Sequence, residues 1–346
     1  MKKLVGGMRR RSWAPRHTYG RLGVTGLLAA AALVVILIAG WLVDRRASNA
    51  DADALAELGR KADRDPVAAI ANASRANRIV FLSDIHGSTE TKRLAARAIE
   101  RIVATSGLDI LALEVGSDQQ AVIDQYLEQP REDASLLLTH GQTVREPGHA
   151  TRDYLEIYRT VWKLNQQLGA DQRIQIVAAD LPGWPPARAL APAQAARKAA
   201  ERDAHMQKQI QDMVNLNPGA RVLVFMTGFH ALKSGTGEIQ TGGTTPVQIA
   251  WLAGRLERAA PEEVYSFLVD APGSPSSTDI VNYAGTSVAG TLQRAGVNRT
   301  FVTRMTQEFD AVRQPLVIRR TPGLSFQIVP RDYRLSAVAD AYIHLR

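Results

Sequence analysis

Two histidines stand just beyond apolar runs, each close to a glycine. His86 falls near the end of "IVFLSDIHG" (Ile79–Gly87), and His230 ends "RVLVFMTGFH" (Arg221–His230), two residues after Gly228. Carboxylates hold matching places. Asp84 lies two residues before His86, Glu114 falls at the end of "LDILALEV" (Leu108–Val115), and Asp180 ends "RIQIVAAD" (Arg173–Asp180). Imidazole with carboxylate supports three chemistries. A neutral histidine oriented by an acid takes a proton from water. Histidine and carboxylate together hold a metal that acidifies bound water. A histidine also ligates haem iron. Other chemistries lack their residues. The chain has no cysteine, which removes disulfides and thiolate metal sites. It has no Gly-x-Ser-x-Gly elbow and no Gly-x-x-x-x-Gly-Lys-Ser loop. Plainer roles compete at single positions. Asp84 can cap a following helix, and Asp180 before Leu-Pro-Gly suits a turn. Glu114 follows four apolar residues, so it is expected to be buried and to need a partner, His86 or Arg202.

The elements that position these residues alternate. Arg78–Asp84, Leu108–Val115, Arg173–Asp180 and Arg221–Gly228 read as short, nearly continuous apolar strands. Between them, Ser88–Ser106, Asp118–Glu128, Thr151–Leu168 and Ala191–Asn215 carry helical spacing, with Ser88 or Thr89 as a cap for the first. Residues 129–150 read as an excursion over the sheet, and the glycine-rich 234–245 as a mobile loop. Pro246–Arg258 reads as a helix, and Val264–Val269, Pro315–Arg320 and Ala341–Leu345 as later strands. Alternation of this kind predicts an α/β fold: a mainly parallel sheet with helices on both faces. All of the polar residues named above then fall at the carboxyl ends of strands, the edge where open α/β sheets bind ligands.

Charge divides the chain. Residues 1–50 carry nine of the 42 Lys and Arg against Asp44 alone, so the net +8 resides there and the remainder is neutral. A basic tail with a neutral body argues against nucleic acid as a partner. Leu22–Val43 is an uncharged apolar run, long enough to cross a bilayer, for which about 20 residues suffice. Seven bases precede it, which places the amino terminus in the cytoplasm. The expected organisation is a basic tail (1–21), a transmembrane signal anchor (22–43), a stalk (44–77) and an α/β domain (78–346). The domain is then periplasmic, on a single-pass protein of the bacterial inner membrane. Ser48-Asn49-Ala50 offers small residues for the alternative, a cleaved signal peptide.

The segments "FLSDIHGSTE", "LALEV", "VAADLPG", "RDAHM" and "FMTGFHALKSG", in this order, resemble the erythromycin esterase-like, ChaN-like and Tiki superfamily, and the terminal "DAYIHL" resembles its last strand. The likeness runs over about residues 75–346. By it, His86 matches the histidine after the first strand and Glu114 the acid after the second. Arg202 and Asp203 match the helical Arg-Asp, and His230 matches the Gly-x-x-His. Where the family commonly has Gly-Glu, this chain has Ser83-Asp84. The resemblance implies hydrolysis of an ester, haem or iron binding, or metal-dependent proteolysis. The favoured reading is a hydrolase with His86, Glu114, His230 and Asp84 as the catalytic set and Arg202, Asp203 and Asp180 holding a small-molecule substrate. Haem binding, or a divalent metal on His86, Glu114 and His230, is the alternative.

Overall fold

A computed structural model describes residues 52–140, 152–184, 190–234, 236–240, 247–271, 288–311, 317–321, 324–328 and 334–346. The expected tail and membrane segment (1–43) lie outside the described residues. Among the described residues no helix is long and apolar enough to cross a membrane.

The chain opens with helix α1 (residues 52–61) and α2 (Pro66–Ala76). The expected stalk is therefore part of the folded body from residue 52 on, with Leu55, Ala56, Ile70 and Ala71 buried. β1 (Ile79–Asp84), α3 (Thr89–Thr105), β2 (Ile110–Gly116), α4 (Gln120–Glu128), α5 (Ser135–His140), α6 (Arg152–Asn165), β3 (Gln175–Asp180), α7 (Pro192–Leu216) and β4 (Val222–Thr227) follow. Apart from α5, which falls in the expected excursion 129–150, their bounds agree with the expected elements to within a few residues, because apolar runs bounded by turns carry clear periodicity. The next stretch differs from expectation. β5 (Thr236–Gln240) and β6 (Val247–Ala250) pair antiparallel, so Val247–Ala250, expected in a helix, is a strand. Helix α8 covers only Leu252–Ala259. The strand assignment has a packing cause. A Cβ on Gly237 would lie 2.3 Å from the Trp251 ring, so β5 packs flush on an indole that also stacks on Phe229 at 5.5 Å. β7 (Val264–Asp270), α9 (Val288–Arg294), β8 (Phe301–Arg304), β9 (Val317–Thr321), β10 (Leu324–Ile328) and β11 (Ala341–His344) complete the chain.

Two sheets result. The larger has the order β3-β2-β4-β1-β7-β11-β8, parallel except for the antiparallel edge strand β8. The smaller, β6-β5-β10-β9, is antiparallel. Alternate residues of the main strands face opposite layers, as the two-residue period requires. Val80, Leu82, Leu111 and Phe225 pack with α3 and α6, while Ile79, Phe81, Ile110 and Val224 pack with Met206 and Ile210 of α7 and Leu252 of α8. From β1 the chain crosses β4 to reach β2, whereas from β4 it crosses β1 to reach β7. The loops after β1 and β4 thus leave adjacent strands in opposite directions, which opens a crevice at their carboxyl ends.

Local register widens that crevice. β1 pairs with β4 as far as Asp84–Thr227, but with β7 only as far as Leu82–Phe267. Ser83 Oγ then accepts the Val269 N–H at 2.7 Å, a side chain taking over from the ladder. The loop after β4 is held by α8, whose Ala253 and Gly254 N–H groups donate to the carbonyls of His230 and Leu232 at 2.8 and 3.1 Å. A Cβ on Gly254 would stand 2.4 Å from the Lys233 carbonyl oxygen, whereas on Gly219 it would meet only Asn217 Oδ1 at 4.0 Å. Gly254→Ala is therefore expected to cost about 1–3 kcal/mol through overpacking, and Gly219→Ala to stay within about 0.5 kcal/mol of wild type. Urea unfolding of both variants measures the difference. Equal midpoints would refute the tight seat of α8.

Candidate active site

Asp84 ends β1 and faces α3. Its Oδ1 accepts the Thr91 hydroxyl at 2.7 Å and lies 2.8 Å from Lys92 Nζ, which also donates to the Ile85 carbonyl at 2.8 Å. Its Oδ2 lies 3.1 Å from His86 Nδ1. Lys92 is only 1% exposed, and a buried ammonium needs such a partner. Burial pushes the Asp84 carboxyl upward, but the Lys92 charge and the His86 hydrogen bond outweigh it and hold the group well below the usual carboxylate range. Asp84 does not cap α3. Ser88 does, accepting the Thr91 N–H, and Gly87 at φ +84° makes the preceding turn. His86 is carried on that turn, buried, with Nε2 2.8 Å from Thr227 Oγ1 at the end of β4.

Glu114 sits where the β2–β3 register shifts, between Leu113 and Gly116, an irregularity that redirects a side chain. Its Oε2 accepts both the N–H and the hydroxyl of Thr227, at 2.8 and 2.6 Å. Its Oε1 takes Arg202 Nη2 at 2.5 Å and lies 3.4 Å from His230 Nε2. Burial opposes its charge, yet the His230 and Arg202 cations exceed that penalty and hold the carboxyl far below its ordinary range.

His230 lies between two acids. Its Nδ1 is 2.7 Å from Asp203 Oδ1, but the ring N–H is turned off that oxygen, so this is an ion pair without an aligned hydrogen bond. Asp203 Oδ2 is buried with no hydrogen-bond partner among the described residues. Burial works to lower the His230 pKa, but Asp203 and Glu114 raise it to about 10, so the ring is an imidazolium at neutral pH. Arg202 spans Glu114 and Asp180, meeting the latter through Nε at 3.0 and 3.1 Å and through Nη2 at 2.5 Å, with its guanidinium 4.7 Å from the Trp184 ring centroid. Asp180 Oδ1 also accepts the Leu181 N–H at 2.7 Å, so the residue both caps its turn and holds Arg202.

The structure thus brings all seven expected residues into one connected network. Two Asp–His pairs, Asp84–His86 and Asp203–His230, flank Glu114. Of the residues expected to hold substrate, Arg202 faces Glu114 and Asp180, and Asp203 faces His230. The expected metal set is not assembled: among the described residues no three His, Cys, Asp or Glu side chains are grouped to hold an ion. Both ring nitrogens of His86 and of His230 face protein groups. Thr227, Thr91 and Lys92 were not foreseen. Lys92 carried a signal, a cation in the first turn of α3 seven residues from Ile85, whereas a threonine ending an apolar run carries none.

No protein-family model matches the chain, and no curated protein matches it in sequence. Solved structures match it in fold. A mutant of the erythromycin esterase EreC in its open conformation matches with a TM-score of 0.54 at 13% identity, over 80% of this chain and 92% of that one. A Bacillus cereus protein matches with a TM-score of 0.54 at 11% identity, over 85% and 97%. A succinoglycan biosynthesis protein matches with a TM-score of 0.53 at 10% identity, over 85% and 96%. The α/β architecture that the sequence resemblance implied is thus the one the chain shares with the erythromycin esterase fold.

Proposed function

We propose that the chain is a hydrolase that activates water at a histidine–carboxylate site, with esters as the substrate class. One observation carries this reading: two Asp–His pairs converge on a single buried glutamate at the ligand edge of the sheet. Environment separates their roles. His86, with Asp84 on Nδ1, has the orientation of a general base, and Asp84 stabilises the imidazolium that forms when Nε2 takes a proton from water. His230 is held charged and supplies a cation for the oxygen that gains negative charge as the ester bond breaks. Arg202 neutralises Glu114 and Asp180 and keeps Glu114 between the two rings. The esterase named among the fold matches supports the substrate class by analogy of fold.

With a panel of p-nitrophenyl esters, His86→Ala is expected to lower kcat/KM by about 10²-fold or more, and Asp84→Asn to lower it at unchanged KM. Turnover that persists in His86→Ala refutes the assignment.

Stability against pH tests the charge states. The folded His230 pKa of about 10 lies above the ordinary 6.5, so its contribution is complete below about 6.5 and is lost as pH rises toward 10. Asp84 and Glu114 are lowered from 3.8 and 4.5, so their contributions are present above those values and are lost as pH falls through the folded pKa values. Chemical denaturation from pH 5 to 10 is expected to show the alkaline decline in wild type and a flatter profile in His230→Gln. Identical slopes for the two proteins would contradict a charged His230.

The apolar run 22–43 and its basic flank support anchoring in the inner membrane with the domain in the periplasm. Alkaline phosphatase fused after residue 346 is expected to be active in cells. An inactive fusion alongside an active cytoplasmic reporter reverses the orientation.

A further inference from the structure

The hydroxyl of Thr227 stands between two acceptors and has one proton to give. Glu114 Oε2 is 2.6 Å away and His86 Nε2 is 2.8 Å away. Which acceptor takes the proton follows from the rest of the network. Asp84 already receives Thr91 and Lys92 on Oδ1, so as a carboxylate it has no proton for His86, and Nδ1 must be the donor across the 3.1 Å contact. A neutral His86 therefore carries its proton on Nδ1 and presents a bare Nε2 to Thr227. In that state the hydroxyl donates to Nε2, and Glu114 Oε2 keeps the Thr227 N–H at 2.8 Å. When Nε2 gains a proton, it becomes a donor to Thr227 Oγ1, and the hydroxyl, its own proton kept, donates to Glu114.

We infer that Thr227 is a positioning residue acting as a two-position hydrogen-bond switch, donating to His86 Nε2 when that ring is neutral and to Glu114 Oε2 when it is protonated. The inference deepens the hydrolase reading and rests on it for its catalytic meaning. In the step concerned, the Thr227 hydroxyl turns from Nε2 to Glu114 and clears the Nε2 lone pair, the O–H bond of water breaks and an N–H bond forms at Nε2. The Thr227 O–H bond is not broken. The turn joins the new imidazolium to Glu114, so the charge created at His86 is met by a carboxylate already anchored elsewhere. Among the described residues, the groups that face His86 include Asp84 from β1, Lys92 through Asp84 from α3, Glu114 through Thr227 from β2 and Thr227 from β4. Arg202 and Asp203 of α7, Asp180 of β3 and His230 act on it through Glu114. Among the described residues of the network, the carboxylates of Asp84, Glu114, Asp180 and Asp203 face the cations Lys92, Arg202 and His230.

Two variants and one direct observation test the switch in the full chain. Thr227→Ser keeps the hydroxyl and is expected to hold kcat within about threefold, whereas Thr227→Val removes it and is expected to lower kcat about tenfold or more at unchanged KM. Nitrogen-15 spectra of the histidine rings, with His86 assigned by its loss in His86→Gln, are expected to show the Nδ1–H tautomer when His86 is neutral. They are also expected to show its titration moved to lower pH in Thr227→Val and restored in Thr227→Ser. A neutral His86 protonated on Nε2 overturns the inference whether or not the valine variant folds, as does a titration that is unchanged in Thr227→Val. If wild type turns over no ester, the hydrolase reading fails, and the tautomer and titration still decide the switch.

Discussion

The architecture of the site depends on keeping the charge of Glu114 out of water. Removing a carboxylate from solvent costs several kcal/mol unless its oxygens are matched, and here each oxygen has two partners: Arg202 and His230 on one, the Thr227 N–H and hydroxyl on the other. Those partners come from an α7 side chain, the loop after β4 and the β4 end itself. Three elements are therefore locked to β2 by one residue. Arg202 needs Asp180 as a second acceptor, and His230 needs Asp203, so the requirement spreads to β3 and back to α7. Loss of Glu114 would leave two cations facing each other in a closed space.

The backbone topology makes this network possible. Parallel strands present all their carboxyl ends on one edge, and the opposite crossings after β1 and β4 leave that edge open between them. Ser83 has a share in the opening. Its hydroxyl bonds the Val269 N–H where β1 and β7 stop pairing, so the strand ends splay without leaving that donor unsatisfied. The Ser83-Asp84 pair stands where the resembled family commonly has Gly-Glu. In this chain Asp84 is backed by Lys92 and Thr91, and that local support sets its position against His86.

Much of this was legible in the chain. The parallel strands of the main sheet announce themselves as apolar runs, the short antiparallel edge strand β8 does not, and the polar residues where four of those runs stop include His86, Glu114, Asp180 and His230. The strand pair β5–β6 was hidden because its assignment rests on contact with Trp251, a tertiary interaction that overrides local composition. Residues 52–77 read as a stalk because alanine and aspartate dominate them, yet a few apolar residues, Leu55 and Ile70 among them, suffice to dock two short helices. The direction of the charges was also hidden. Arg202 was one of two partners expected for Glu114, and the fold selects it; Asp203 looks like a substrate contact in sequence, and only the fold shows it turned toward His230.

The two Asp–His pairs are alike in composition and unlike in consequence. His230 faces a carboxylate at each nitrogen, so both of its protons are held by negative charge and the ring stays an imidazolium well into alkaline pH. His86 faces a carboxylate at Nδ1 but a hydroxyl at Nε2. A hydroxyl both donates and accepts, so it gives Nε2 a partner with or without a proton. Acid–base work needs a group that is partnered in both protonation states beside one that does not change. Replacing a single carboxylate by a threonine hydroxyl on one of two otherwise similar imidazoles is the smallest difference that separates them in this way.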